Sequence, residues 1–264
     1  MIFNNVYCYL LRDNSHKSSI FDVRGKLLAM ANSSKNLLFV YAINSNNYIS
    51  RSLGIPTHSR EILCGKFLFK KKCLITGGED NSINIYNLID NNLCLKNILK
   101  IHLSTVRALH FFQFKENYLV ISGGGRSQLN LFSINLKDNL ISVIDSIILD
   151  KLSTDESDCR INSLSCKVFQ DFYIISAGTS TGILYLINLN NNKLEIALKY
   201  NVNFPCQCHT DLEKDSTSFY LIIGLSNGEI LVLIYSLAIK EIVIIIRVVE
   251  KSQSGINSLS LLNV

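Results

Sequence analysis

Residues Ile75 to Leu88 read ITGGEDNSINIYNL: two apolar or β-branched runs flank a cluster of small and polar residues. Gly-Gly-Glu-Asp-Asn is turn chemistry, and the residues after it alternate at the period of a half-buried strand, so the stretch reads as strand, tight turn, strand. The phrase returns as ISGGGRSQLNLFSI (Ile121 to Ile134) and ISAGTSTGILYLIN (Ile175 to Asn188). A further copy, IIGLSNGEILVLIY (Ile222 to Tyr235), fits with a small shift, and a degenerate one, MANSSKNLLFVYAI (Met30 to Ile43), precedes the rest.

The large apolar residue that closes the second strand of each phrase marks the period. Tyr41, Tyr86, Phe132, Ile187 and Leu233 follow one another at 45, 46, 55 and 46 residues. Repeats of about 40–45 residues with four short strands each are the mark of propeller blades, so the expected fold is all-β, a β-propeller with about five to six blades present. KLSTDESD, residues 151–158, accounts for the long step as an inserted surface loop. A second phrase holds the register: SREILCGKF around Ile62, STVRALHFF around Val106, CRINSLSCKVF around Ile161 and SGINSLSLL around Ile256, at steps of 44, 55 and 95. The last step is close to two periods, which puts a missing copy near NFPCQCHTDL (Asn203 to Leu212). A seven-bladed ring would need roughly 320 residues. The 264 residues are therefore expected to form a single but incomplete propeller, unless Val6 to Leu11 closes it beside the last strand.

Composition agrees with a packed domain. Hydrophobic residues make up 48% and charged residues 18% of the chain, which excludes wholesale disorder. The net charge of +5 permits contact with a polyanion without the density of a dedicated nucleic-acid arm. MIFNNVYCYLLRD, at the start, lacks the basic leader and apolar stretch of a signal peptide. The most apolar region, Ile230 to Val249, is broken by Lys240, Glu241 and Arg247, short of the roughly 20 apolar residues of a membrane span. Cytoplasmic localisation without membrane association follows as the expectation, with the eight cysteines reduced.

On these residues the chain resembles the WD40 family. ITGGEDNSINIYNL resembles the middle strands of a WD repeat, with Asp80 in the turn and Tyr86 where the family usually carries tryptophan. In that family a histidine before the blade, a Ser or Thr on the second strand, the turn Asp and the Trp make a buried set that pins the blade. The resemblance implies this structural role for His58, Thr76, Asp80 and Tyr86, the tyrosine hydroxyl standing in for the indole donor. His102, Ser122 and Phe132 repeat the pattern, but Arg126 stands in the Asp place, so that blade must be pinned differently. Tryptophan is absent from the whole chain.

A narrower resemblance lies between the turns. HSREI (His58 to Ile62), TGGEDNSINIY, HLSTVRAL with ISGGGRSQL, DCRINSL (Asp158 to Leu164) and QSGINSL (Gln253 to Leu259) are, in that order, similar to the C-terminal part of the non-catalytic WD-repeat subunits of tRNA wobble-ribose 2′-O-methyltransferases. The resemblance implies a scaffold partnered with an FtsJ-type methyltransferase. S-adenosylmethionine would belong to that partner, leaving this chain without a cofactor. It also implies that 1–264 is a slice of a longer protein with several propellers, and that tRNA is a possible further partner.

Sites for bond chemistry are weaker readings. The types in His58, Thr76 and Asp80 are those of a hydrolase triad, yet their spacing suits a structural role. SGGGRSQ lacks both phosphate-loop patterns and leads into a strand instead of a helix. Cys206, Cys208 and His209 lack the paired spacing of a zinc site, and DESD (Asp155 to Asp158) lacks the spacing of a calcium loop. LNLNNNK (Leu186 to Lys193) marks a hairpin tip, and Lys70, Lys71 and Lys72 read as a solvated hairpin. Arg107 and Arg160 beside the lead-in strands and Arg126 in a turn share one rim of a propeller, where guanidinium groups could meet phosphate or an acidic partner surface. The chain is accordingly expected to be no enzyme. A generic protein-interaction platform without an RNA role is the alternative.

Overall fold

Alternating apolar and polar residues, punctuated every few positions by Gly, Asn and Ser, leave each segment one face to bury, and antiparallel sheets stacked face to face satisfy that demand. The computed structural model describes residues 18–24, 27–32, 37–43, 49–51, 55–56, 58–68, 73–89, 92–114, 117–135, 138, 140–150, 159–169, 172–249, 254–257 and 259. The insert at 151–158, Val6 to Leu11 and Lys70 to Lys72 lie outside these residues. Every regular element is a strand apart from one short 3-10 turn, Gly125–Ser127. No helix among the described residues is long and apolar enough to cross a membrane.

The chain divides into two units, Met1–Lys100 and Ile101–Val264. The first holds two sheets. Blade 1 runs β1 (Ser18–Arg24), β2 (Leu27–Asn32), β3 (Leu37–Ile43) and β4 (Ile49–Arg51), with the short β5 (Ile55–Pro56) pairing onto β3. Blade 2 runs β6 (Ile62–Leu68), β7 (Cys73–Gly78), β8 (Ile83–Ile89) and β9 (Asn92–Leu99). Between them Leu38, Val40, Ile62, Phe67, Leu74, Tyr86, Leu88 and Leu93 form one buried cluster.

The second unit holds three four-stranded sheets with the same plain order. Blade 3 is β10 (Val106–Phe114), β11 (Asn117–Gly124), β12 (Gln128–Asn135) and β13 (Leu140–Ile148). Blade 4 is β14 (Ile161–Phe169), β15 (Phe172–Thr179), β16 (Ile183–Asn190) and β17 (Lys193–Asn201). Blade 5 is β18 (Cys206–Asp215), β19 (Ser218–Leu225), β20 (Glu229–Ser236) and β21 (Glu241–Val249). The fold class is thus all-β, with meandering antiparallel sheets of the propeller kind. The copy expected near NFPCQCHTDL is β18.

Register shows that the repeats are in phase. In blades 2 to 5 the first strand carries an extra residue at its second position: Leu63, Arg107, Asn162 and Gln207. The last strand carries another at Lys96, Ile144, Ala197 and Ile245, each directly after the pairing partner of a marker residue, Tyr86, Phe132, Ile187 or Leu233. Such bulges bend a strand and sharpen its twist, so their recurrence gives blades 2 to 5 the same local geometry at these positions.

Packing between sheets of the second unit follows the same repeat. Ile121, Leu129 and Leu131 of blade 3 meet Ile175, Tyr185 and Ile187 of blade 4 in one cluster, and Leu184 and Leu186 of blade 4 meet Leu221, Leu231 and Leu233 of blade 5 in the next. Side chains near the start of one first strand close against glycines of the preceding blade. A Cβ on Gly123 would lie 2.7 Å from Ile161, one on Gly178 2.8 Å from Cys206, and one on Gly224 2.5 Å from Ile256. Ile256 belongs to INSLS, the same five residues that open β14 at Ile161.

Candidate functional site: a histidine network and an arginine rim

The turn of blade 2 brings three of the four residues of the family set together. Asp80 lies in the turn between β7 and β8, Thr76 is fully buried on β7, and His58 precedes β6. His58 Nδ1 lies 2.8 Å from Asp80 Oδ1, and Nε2 lies 2.8 Å from Thr76 Oγ1. A carboxylate can only accept, so Nδ1 carries the hydrogen, and the neutral ring then accepts the Thr76 hydroxyl at Nε2. The second carboxylate oxygen accepts the Ser59 backbone N–H at 2.9 Å. Ser82 donates its hydroxyl to Asp80 Oδ1 at 2.7 Å and lies 3.0 Å from His58 Nδ1. The further hydroxyl of the network is therefore Ser82, while Tyr86 sits in the hydrophobic cluster shared with blade 1.

Electrostatics follows from this enclosure. Burial pushes the His58 ring below its ordinary value, against the opposing pull of Asp80. Burial is also the largest influence on Asp80 and acts upward, but hydrogen bonds from His58, Ser82 and Ser59 outweigh it and hold the carboxyl at about 2. Every reactive-looking atom here is engaged in holding the lead-in loop to the turn. The geometry is that of a structural clasp.

Blade 3 has the same frame with a different filling. His102 Nε2 lies 2.8 Å from Ser122 Oγ, as His58 does from Thr76. Gln128 stands where blade 2 has Ser82: its Oε1 accepts the Leu103 backbone N–H at 2.8 Å, and its Nε2 donates to the Ile101 carbonyl at 3.2 Å. Asn130 donates to the same carbonyl at 3.2 Å. Among the described residues nothing bonds the buried Nδ1 of His102. Burial alone lowers that ring to about 4. Phe132 is fully buried on β12.

A histidine that the sequence presents as a poor metal ligand fills a third structural place. His209 on β18 lies 2.6 Å from Ser163 Oγ at Nδ1 and 2.8 Å from Ser176 Oγ at Nε2, one nitrogen of the neutral ring donating and the other accepting, so blade 5 is tied to blade 4 through both ring nitrogens. Burial holds it at about 4. Its neighbours do not converge on it as ligands: the Cys208 thiol points to the Ile256 carbonyl at 3.2 Å. No group of three or more His, Cys, Asp or Glu among the described residues is placed to hold a metal ion.

The arginines gather around one turn of the second unit. Gly125 N–H donates to the Thr105 carbonyl at 2.9 Å, and Ser127 N–H to the Cys159 carbonyl at 2.7 Å. Gly125–Ser127 is thereby fastened to the lead-in of its own blade on one side and to that of blade 4 on the other. Arg126, at the tip, is exposed and adopts φ 57 and ψ 27. Arg107 is the bulge residue of β10, two places after Thr105, and Arg160 directly follows Cys159. Both are half-buried and engaged within the fold. Ser180 clamps the Arg160 backbone from both sides, at 2.9 Å each way. One rim of the second unit therefore carries three guanidinium-bearing positions, with Arg126 foremost.

Comparison with known proteins adds the following. No protein-family model matches the chain. It is 25% identical over 172 residues to the tRNA (34-2′-O)-methyltransferase regulator WDR6 of Drosophila melanogaster, a match covering 60% of this chain and 17% of that protein. The chain thus spans less than a fifth of this relative's length. Among solved structures it resembles Saccharomyces cerevisiae Sqt1, with a TM-score of 0.67 at 16% identity over 88% of this chain and 63% of the other. It also resembles a Lactobacillus plantarum protein, with a TM-score of 0.69 at 12% identity over 89% of this chain and 71% of the other. At such identities the structural likeness speaks for the fold alone.

Proposed function

We propose that this chain is a non-catalytic WD-repeat scaffold supporting 2′-O-methylation of the tRNA wobble ribose by a partner methyltransferase of the FtsJ type. The observation that carries the reading is the 25% identity over 172 residues to a regulator of that modification. The clasp at His58, Thr76 and Asp80 supports it, because the histidine, the carboxylate and the buried hydroxyl are engaged in bonds between the lead-in loop and the turn. In this reading S-adenosylmethionine binds the partner, and the blades form part of a larger array that positions enzyme and tRNA, with Arg107, Arg126 and Arg160 turned to an acidic surface. The test is a deletion strain. Wobble-ribose methylation should be lost on deletion and restored by the gene, and an FtsJ-type methyltransferase should co-purify with the protein; normal methylation in the deletion strain would remove the proposal.

A second reading, a general protein-interaction platform without an RNA role, draws on the engagement of Arg107 and Arg160 within the fold. It requires that tRNA binding by the protein and its partners be indifferent to all three arginines.

A further inference from the structure

Blades 3 and 4 each turn one face to the blade that follows, and on that face Leu129 and Leu131 of β12 and Leu184 and Leu186 of β16 are all 0% exposed. Their partners on the outermost strands pack into the same seams: Ile147 beside Leu129, Leu198 beside Leu186 and Tyr200 beside Leu184. The register carries these positions to Ile230 and Val232 of β20 and to Val248 and Ile246 of β21. All four are apolar, as a seam requires. Yet Ile230 and Val232 are only half-buried, and Ile246 and Val248 are 50% and 48% exposed.

Position on an outer strand does not account for this exposure, because the counterparts Leu198 and Tyr200 lie on an outer strand and are half-buried. Ile256 shows what belongs on the face. It meets Gly224 as Ile161 meets Gly123 and Cys206 meets Gly178, in the place of a residue that opens the next sheet. Its N–H donates to the Leu225 carbonyl at 3.0 Å, and its carbonyl accepts the Cys208 thiol at 3.2 Å. INSLS runs from Ile256 as it does from Ile161, with Leu259 in the place of Leu164, a residue of the seam between blades 3 and 4. Ile161 and Cys206, which open complete sheets, are fully buried, whereas Ile256 is half-buried.

We infer that the outward face of blade 5 is a further propeller seam, and that its occupant is a sixth antiparallel sheet of the same polypeptide, opened at Ile256 and stacked over Ile230, Val232, Ile246 and Val248. The face continues the seams already built between blades 3, 4 and 5, with the same register and the same apolar positions. A second copy of the chain is a poorer occupant, since Ile256 already holds the inner edge of the face in the place of a first strand. A helix or loop of a partner would leave the backbone of that strand without a ladder, whereas a second strand beside it satisfies those groups. The face is thereby closed to the methyltransferase and to tRNA, which must use the rims or the outer strands. The inference stands apart from the methylation reading, because it follows from the packing of the blades alone.

The test is hydrogen exchange, read by mass spectrometry, on the whole protein purified from its own cells. A first strand is protected by the ladder to its second strand, and a strand without that ladder exchanges freely. Amides from Asn257 onward should therefore exchange as slowly as those after Ile161, at every protein concentration and with co-purifying partners stripped away by salt. Ile246→Asp combined with Val248→Asp should speed that exchange several-fold while the seam of blades 3 and 4 stays slow, which also shows that the variant is folded. Val243→Asp is the control: its counterpart in blade 4 is the exposed Glu195, and it should change nothing. Free exchange from Asn257 onward would overturn the assignment, as would protection that requires high concentration, the mark of a second copy, or protection that leaves with the partners. An unchanged rate in the double variant, or an equal effect of Val243→Asp, would do the same.

Discussion

Ile161, the first residue of β14, closes directly over Gly123 of the neighbouring blade: a methyl group on that glycine would lie 2.7 Å from the isoleucine side chain. The two are locked as a small-to-large pair at the seam between blades 3 and 4, where Ile161 is fully buried. Gly123→Ala should therefore push the blades apart. Overpacking of this kind costs roughly 1–3 kcal/mol. Chemical denaturation should show the loss as a lower midpoint with an unchanged slope. Ile161→Val keeps the Cβ and Cγ2 atoms that the new methyl would meet and should not recover the loss.

The clasp of blade 2 yields a second expectation. Asp80→Ala removes the acceptor for His58 Nδ1 and for the Ser59 N–H together. Leaving a partly buried donor unsatisfied costs about 1–3 kcal/mol, and the loss should fall within that range because water can reach the exposed side of the turn. Thr76→Val, which keeps the shape and removes the hydroxyl, should cost a similar amount through His58 Nε2. The double variant should cost less than the sum of the two singles, since both act on one ring.

Stability should depend on pH through the buried histidines. His102 and His209 sit at about 4 in the folded chain, against 6.5 for an ordinary histidine. Between those values the unfolded chain binds protons that the folded chain refuses, so their contribution is complete above pH 6.5 and drains away as pH falls towards 4. At roughly 1.4 kcal/mol per unit of difference, each histidine can forfeit on the order of 3 kcal/mol at the acid end. Thermal melts at pH 7.5 and pH 5 should differ accordingly. His209→Leu puts the residue that blades 3 and 4 carry at the corresponding positions, Leu109 and Leu164, and should flatten the dependence.

The arginine rim is open to a salt titration. Replacing Arg107 and Arg126 together by Ala should weaken tRNA binding by the complex reconstituted with the methyltransferase and lower the slope of log K against log salt by about 1 for each lost phosphate contact. An unchanged slope would confine both residues to structural and protein-contact roles.

Much of this architecture is written in the chain as a beat. Tyr41, Tyr86, Phe132, Ile187 and Leu233 all fall on third strands, and in blades 2 to 5 the large apolar side chain at that place is fully buried. His58, Thr76 and Asp80 are legible as a group because they are fixed by spacing to the same turn. Ser82 and Gln128 are not, since a small hydroxyl and an amide can do corresponding work only once the loops are folded against each other. His209 is hidden for another reason. Beside Cys206 and Cys208 it looks like part of a soft-ligand cluster, but alternation along β18 and the bulge at Gln207 turn its ring to Ser163 and Ser176 of blade 4. Register across a sheet seam depends on both partners and leaves no local trace.

Methyl transfer to the wobble ribose measures the central claim most directly. An FtsJ-type methyltransferase is assayed with S-adenosylmethionine and substrate tRNA, with and without this protein, and the modified nucleotide is identified by mass spectrometry. Methylation at that ribose should require the protein, and this protein with tRNA and S-adenosylmethionine but no methyltransferase should transfer nothing. Equal methylation by the enzyme alone, or transfer by this protein on its own, would contradict a non-catalytic scaffold.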